Sequence, residues 1–135
     1  MDRVSAVYLL RVDNAALMQH RDDKPGLQHA GLWVPPGGHC ECGEGTVDCA
    51  RREFLEETCY LCEHLEFLLS FRDEQEGWAP YDLTVFWTRY DGKQRLECRE
   101  GQGLEFIRRE DVADFSIPAY LVDIWDIAIK ETGQH

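Results

Sequence analysis

The chain has 135 residues, 44% of them hydrophobic, which suits one domain with its own core and is too apolar for a disordered chain. Twenty-six acidic residues against 14 basic ones give a formal charge of −12, a field that repels nucleic-acid backbones and acidic bilayers. No apolar run approaches the roughly 20 residues of a membrane span, and the opening MDRVSAVYLLRVDNAALMQ lacks the pattern of a secretory leader. The expectation is one cytoplasmic domain over residues 1–135, with neither a nucleic-acid polymer nor a membrane as partner.

In chain order, Val4 to Val12 is rich in Val, Leu and Tyr and predicts a strand. Asp13-Asn14 predicts a turn into a second strand, Ala15 to His20. Arg21 to Gly31 is polar and holds Lys24-Pro25-Gly26, so a loop is expected. Leu32 to Val34 is extended, and Pro35-Pro36-Gly37-Gly38 forbids helix. A helix is expected from Thr46 to Tyr60, then strands at Leu65 to Arg72 and Leu83 to Tyr90. Asp91-Gly92 signals a turn into a further extended stretch. Leu104 to Arg108 predicts another strand and Glu110 to Phe115 a short helix. Ile117 to Thr132 predicts a longer helix, with Pro118 in its first turn. Several strands interrupted by few helices give an α/β or α+β sandwich on a mixed sheet.

Six cysteines in a chain without a secretory leader read as reduced thiols. Cys40-x-Cys42 and Cys59-x-x-Cys62 carry the spacing of a four-thiolate zinc site, the alternative to buried or half-buried thiols. His20, His29, His39 and His64 show no ligand spacing, and His135 is terminal.

The densest charge lies on the first helix. At 100° per residue Val47, Ala50, Phe54 and Leu61 share an apolar stripe. Glu53, Glu56 and Glu57 fall beside it at i, i+3 and i+4, so their carboxylates converge. Like charges so placed cost a few tenths of a kcal/mol when exposed, and more beside a buried face. A hard divalent cation relieves that repulsion, and Mg²⁺ takes carboxylate oxygens well. Arg52 lies four residues before Glu56 and can pair with it, while Glu44 sits in a Gly-rich turn that can fold back toward the same group. Taken alone, such an acidic run is usually a solvated helix face.

The whole spacing is more informative: Gly38, five residues, Glu44, seven residues, then Arg52-Glu53-Phe54-Leu55-Glu56-Glu57-Thr58-Cys59-Tyr60. This resembles the signature box of the Nudix hydrolases, and weaker likeness extends over nearly the whole chain, including the approach Leu32-Trp33-Val34-Pro35-Pro36-Gly37-Gly38. Every charged position fits. One position departs: Cys59 stands where the family keeps a glycine, the residue that supplies a left-handed helix cap.

The resemblance implies a mixed sheet sandwiched between helices, with the box forming loop–helix–loop. It implies Mg²⁺- (or Mn²⁺-) dependent hydrolysis of a diphosphate bond in a nucleoside diphosphate linked to another group. It makes Glu53, Glu56 and Glu57 metal ligands, with Glu53 also the possible base, Arg52 their orienting arginine, the Gly38 carbonyl a backbone metal contact and Glu44 a supporting carboxylate. Arg21 falls where many relatives keep a phosphate-binding arginine. Within Arg99-Glu100-Gly101-Gln102-Gly103, Glu100 matches a further metal-binding glutamate, with Glu105 as its rival. Relatives are commonly homodimers.

For substrate, a (d)NTP or related nucleotide is the expectation, an ADP-ribose or nucleotide-sugar pyrophosphatase the runner-up, and a catalytically silent nucleotide-sensing module the alternative from another class. The intact Arg52, Glu53, Glu56 and Glu57 set argues against the last. Tyr120 stands near the place of the asparagine that reads oxidised guanine in mutator-type relatives, which argues against that specificity. Pro80 and Tyr81 lie farther along than the proline and tyrosine of the ADP-ribose and diadenosine-polyphosphate types. Trp33, Trp78, Phe86 and Trp87 are the aromatics that could stack on a base, with core packing the expectation for most.

Overall fold

Alternation along the first strand sets the layers. In the computed structural model, which describes residues 2–133, β1 (Arg3–Leu10) turns Ala6, Tyr8 and Leu10 to one face of a sheet and Val7 and Leu9 to the other. Such a strand must be covered on both faces. Two helices do this: α1 (Thr46–Thr58) over Val7 and Leu9, and α2 (Ala119–Glu131) over Tyr8 and Leu10.

The other strands are β2 (Ala16–His20), β3 (Trp33–Val34), β4 (Gly37–His39), β5 (Glu66–Asp73), β6 (Tyr81–Arg89) and β7 (Gly103–Ile107). The main path runs β3-β2-β1-β6-β5, with β4 on β1 and β7 on β2. β1 and β6 are parallel, from Arg3↔Asp82 to Leu10↔Arg89, and the other pairings are antiparallel, so the sheet is mixed as expected. A two-turn 3₁₀ segment, Arg109–Asp114, precedes α2.

On the α2 side, Tyr8, Leu10, Met18, Val85 and Ile107 pack with Leu121, Ile124, Trp125 and Ala128. Buried polar atoms there are paired, since an orphan would cost about 1–3 kcal/mol. Tyr8 Oη donates to the Leu121 carbonyl at 2.7 Å, and Trp125 Nε1 donates to the Asn14 carbonyl at 3.0 Å. On the α1 side, Val7, Leu9, Leu17 and Phe86 meet Ala50, Phe54, Tyr60 and Cys62.

Three features differ from the sequence reading. Val47 and Leu61 do not share the buried stripe of α1 but are 37% and 40% exposed. The stripe through Ala50 and Phe54 continues into Glu57 and Thr58, a carboxylate and a hydroxyl in places that amphipathic counting gives to hydrocarbon, and Leu61 lies beyond the end of the helix. Second, Gly37–His39 is a strand despite two glycines, because β1 offers it a ready template through Ser5↔Gly38 and Ala6↔Gly37. Third, the stretch after Asp91-Gly92 forms no strand among the described residues. It runs instead across the end of α1, where the Glu97 and Arg99 N–H groups donate to the Thr58 and Glu57 carbonyls, both at 2.9 Å, and satisfy two of the carbonyls a helix end leaves open.

Cys59 closes α1 in the left-handed conformation, φ 63° and ψ 12°, its N–H donating to the Leu55 carbonyl at 2.9 Å. A side chain held there costs about 1 kcal/mol relative to glycine. Cys59→Gly should therefore stabilise the fold by up to about 1 kcal/mol, raising Tm by roughly 3 °C. A calorimetric Tm that falls instead would mean that the Cys59 thiol, 3.5 Å from Glu97 Oε2, outweighs the backbone strain.

Candidate active site

The β4 strand and α1 are brought against each other at Gly38. Its Cα faces the Glu53 carboxylate so closely that a Cβ would overlap it. Any larger residue here would push the Glu53 side chain out of its place. Ser5 Oγ, from β1, donates to the Thr46 carbonyl at 2.8 Å and pins the helix start.

Arg52 is the shared counterion of the acidic group. Its Nε and Nη2 clasp Glu44 at 2.8 and 2.9 Å, its Nη1 donates to Glu53 Oε1 at 2.9 Å and to Glu56 Oε2 at 3.3 Å, and Nη2 also reaches the His39 carbonyl at 3.1 Å. Such a bidentate grip orients as well as attracts. The Arg52 hydrogen bonds hold the Glu44 carboxyl down to about 2, with the Glu41 N–H assisting. Glu56 is the most open of the set, its side chain 56% exposed.

Glu57 lies beyond that guanidinium. It is 5% exposed, and its protein donors are neutral: Gln19 Nε2 at 3.4 Å and the Gly37 N–H at 3.2 Å. Burial, then the hydrogen bond and charge of Glu100, then the charge of Glu53, push its pKa up to about 9. Burial also raises Glu53, against the opposing pull of Arg52. The two carboxyls thus sit in different fields: Glu53 partly neutralised, Glu57 not.

Glu100 is delivered by a loop built on β2. Gly101 adopts φ +85° hard against the His20 carbonyl, where a Cβ would collide. Gln102 donates its N–H to that carbonyl at 2.7 Å and its Nε2 to the Arg21 carbonyl at 2.8 Å. Gln19 Nε2 also donates to the Glu100 carbonyl at 3.2 Å, so one buried amide ties Glu57 to Glu100. Gln19 was missed in the sequence; its signal was an amide directly after the apolar run Ala15–Met18. Glu105, the rival of Glu100, is exposed on β7 opposite Met18.

Gly38, Glu53, Glu57 and Glu100 line a cavity of about 560 Å³. Arg21 lines it too, the one Lys or Arg to do so among the described residues, and its Nε is buried without a hydrogen-bond partner. Trp78, Tyr81 and Tyr120 lie on the same cavity. Asp73, 1% exposed, accepts from Tyr81 Oη at 3.0 Å and Tyr120 Oη at 3.1 Å. With that proton committed, His29 Nε2 is the donor in its 3.0 Å bond to Tyr120 Oη. Burial lowers the His29 pKa and raises that of Tyr81 to about 12, so both stay neutral.

Of the other aromatics, Trp33 stacks on His20 at 4.5 Å and Phe86 and Trp87 pack into the two cores. The four-thiolate set is not assembled. Cys40 and Cys42 precede α1 and Cys59 and Cys62 follow it, and a 13-residue helix of about 20 Å separates them. His135 lies outside the described residues.

The family model for the NUDIX domain matches residues 1–124. The chain belongs to the Nudix hydrolase family. Among curated relatives, a pig bis(5'-nucleosyl)-tetraphosphatase (asymmetrical) is 29% identical over 116 residues, covering 78% of this chain and 74% of its own. A zebrafish m7GpppN-mRNA hydrolase, NUDT17, is 40% identical over 55 residues, 41% of this chain, and the match spans only 18% of that protein's length. Among solved structures, a MutT protein from Methanosarcina mazei superposes with a TM-score of 0.81 at 18% identity, covering 98% of this chain and 95% of that one. A Caenorhabditis elegans Ap4A hydrolase superposes at 0.79 and 18% identity, covering 98% of each. These neighbours share the mixed sheet and its flanking helices.

The Nudix carboxylates here suit a hard divalent ion. Four side-chain carboxylates and a backbone carbonyl are all oxygen donors, and the most buried of them, Glu57, has only neutral donors and carboxylates as neighbours. In the metal-free state a carboxyl whose folded pKa is raised from 4.5 to about 9 contributes stability below pH 4.5 that is lost as pH climbs toward 9. In a chelator, the Tm of the wild type should therefore fall more between pH 5 and pH 9 than that of Glu57→Gln. Parallel curves for the two proteins would mean that Glu57 is not the titrating group.

Proposed function

We propose that the chain is a divalent-metal-dependent pyrophosphohydrolase acting on a nucleoside diphosphate linked to another group, with a (d)NTP or related nucleotide preferred. One juxtaposition carries this reading: a buried carboxylate without a cation, Glu57, lines the same cavity as a buried arginine nitrogen without an anion, on Arg21. An ion held by the first and a phosphate held by the second answer both deficits together.

In this reading Glu53, Glu56, Glu57, Glu100 and the Gly38 carbonyl hold Mg²⁺ (or Mn²⁺). The bound ion supplies charge neutralisation at the phosphates and a water of lowered pKa. Arg52 sets the rotamers of Glu53 and Glu56 and, through Glu44, anchors them to the loop before α1. Glu57 would hold the ion as a carboxylate, the form that burial and Glu100 disfavour when no ion is bound. Glu53, partly neutralised by Arg52 yet raised by burial, is the carboxylate suited to accept a proton from water. Arg21 neutralises a non-reacting phosphate and orients the chain of phosphates. Trp78 and Tyr81 offer ring faces to the base. Most of the rate comes from positioning and field, as phosphoryl chemistry demands.

A second reading is a dinucleoside polyphosphate as substrate. It is favoured by the pig relative, whose similarity runs over three-quarters of both chains. A panel of nucleoside triphosphates, dinucleoside polyphosphates, ADP-ribose and nucleotide sugars, assayed with Mg²⁺ and analysed for products, separates the readings. Turnover of at least one class, abolished by chelator and restored by Mg²⁺, is the expected result. No turnover of any would make the domain a binding module.

Two variants probe the assignments. Glu57→Gln should lower kcat at least about a hundredfold by removing a metal ligand, and near-normal turnover would take Glu57 out of the centre. Arg21→Ala should raise KM about tenfold or more with a smaller change in kcat, the pattern of lost ground-state binding. An unchanged KM would assign the phosphates to another group.

A further inference from the structure

Outside the carboxylate cavity the structure assembles a second donor group of different chemistry. The Sγ atoms of Cys40 and Cys49 and a carboxylate oxygen of Glu44 lie within 4.8 Å of one another. Tetrahedral zinc with two sulfur bonds of about 2.3 Å places its sulfurs about 3.8 Å apart, within that span. Cys49 is fully buried on α1 and its thiol points at the Gly38 carbonyl, 3.6 Å away. Cys40, at the end of β4, is half-buried, with Sγ 3.6 Å from Ser5 Oγ. The exposed loop at Glu41, Cys42 and Gly43 gives access from solvent.

We propose that Cys40, Glu44 and Cys49 form an inhibitory site for a soft divalent cation, Zn²⁺ above all, distinct from the all-oxygen centre. Two thiolates and one carboxylate select zinc over magnesium, which prefers oxygen and keeps its waters. Binding releases two thiol protons to solvent and leaves the fourth position to water. The inhibition rests on the hydrolase reading given above: Glu44 is the carboxylate that clasps Arg52 with both oxygens, so an ion bound to Glu44 draws it from the guanidinium that steers Glu53 and Glu56. It also takes the Cys49 thiol from the Gly38 carbonyl. Zinc at this site is thus coupled to the catalytic group through two contacts without occupying it.

Cobalt reports the site without any assay of turnover, because thiolate–Co²⁺ charge transfer absorbs in the near ultraviolet and carboxylate–Co²⁺ does not. Metal-free wild-type chain, kept reduced by a phosphine, is titrated with Co²⁺. A charge-transfer band saturating at one equivalent is expected. It should persist in excess Mg²⁺ and in Glu57→Gln, bleach on adding Zn²⁺, and vanish in Cys40→Ser and Cys40→Ala, with circular dichroism confirming that both variants fold. Absence of the band in the wild type, or its survival in the folded variants, overturns the site. In the second arm, equimolar Zn²⁺ in excess Mg²⁺ should lower wild-type kcat at least tenfold and leave Cys40→Ser nearly unaffected. Equal inhibition of both proteins overturns the coupling to Arg52. A band without turnover in any protein keeps the metal site and rejects the hydrolase reading, so the two failures are separable.

Discussion

The architecture turns on the distribution of a single positive charge. Arg52 has enough donors to serve Glu44, Glu53 and Glu56 together, and its planar fork fixes their positions relative to the helix axis. It does not reach Glu57, one turn farther and deeper. Glu57 therefore bears the full penalty of burial, and the amides of Gln19 and Gly37 offset only part of it. A chain that merely needed a stable helix would place an apolar residue at a site that is 5% exposed. The carboxyl persists at the expense of the unliganded fold, as functional groups often do.

The sheet exists in this form partly to sustain that deficit. Parallel pairing of β1 with β6 fills one edge of β1, and β4 pairs along Val4, Ser5 and Ala6, which sets Gly38 against Glu53 of α1. Antiparallel pairing of β2 with β7 places the Glu100 loop beside the end of the same helix. That loop caps α1 through the Glu97 and Arg99 N–H groups while bringing Glu100 against Glu57. One segment thus completes a helix terminus and sharpens a repulsion. Gln19, bonded to both partners, couples the two events.

Much of this was legible in the residues. The strands other than β4 and both helices were read from composition and periodicity, and the spacing from Gly38 to Tyr60 put Glu53, Glu56, Glu57 and Arg52 on one turn and a half of helix. What escaped has physical reasons. Periodicity assigns faces by hydrophobicity, so it favoured Val47 and Leu61 over Glu57 and Thr58 for the buried stripe, although a functional helix buries what its chemistry needs. A Gly-Gly pair carries no strand propensity, so β4 is specified by its template and not by itself. Within the run from Gly92 to Gln102, Glu97 and Arg99 spend their N–H groups on α1's carbonyls instead of a strand partner, a partnership between residues some 40 positions apart that no local pattern encodes. The Asp73–Tyr120–His29 chain likewise joins three segments through side chains that look unrelated in sequence. The cysteines are free thiols, as the sequence reading had them; the four-thiolate alternative grouped Cys40 with Cys42, its neighbour in sequence, where the fold sets it beside Cys49 across the loop-to-helix turn.

The net charge of −12 gives the last constraint. An anionic ligand approaching this surface is repelled at long range, and within the cavity meets four carboxylates, Asp2, Glu53, Glu57 and Glu100, and one arginine. Arg21 alone cannot reverse that field, and a second arginine there would find Glu53 or Glu57 and fold inward as Arg52 does, quenching the site permanently. On the reading proposed above, an exchangeable cation would supply the compensation, keep the carboxylates available and change the sign of the field where phosphates would sit. That proposal would favour ion-bearing ligands, since a phosphate chain arriving with its own divalent counterion would supply both the charge that Glu57 lacks and the oxygens that Arg21 can hold.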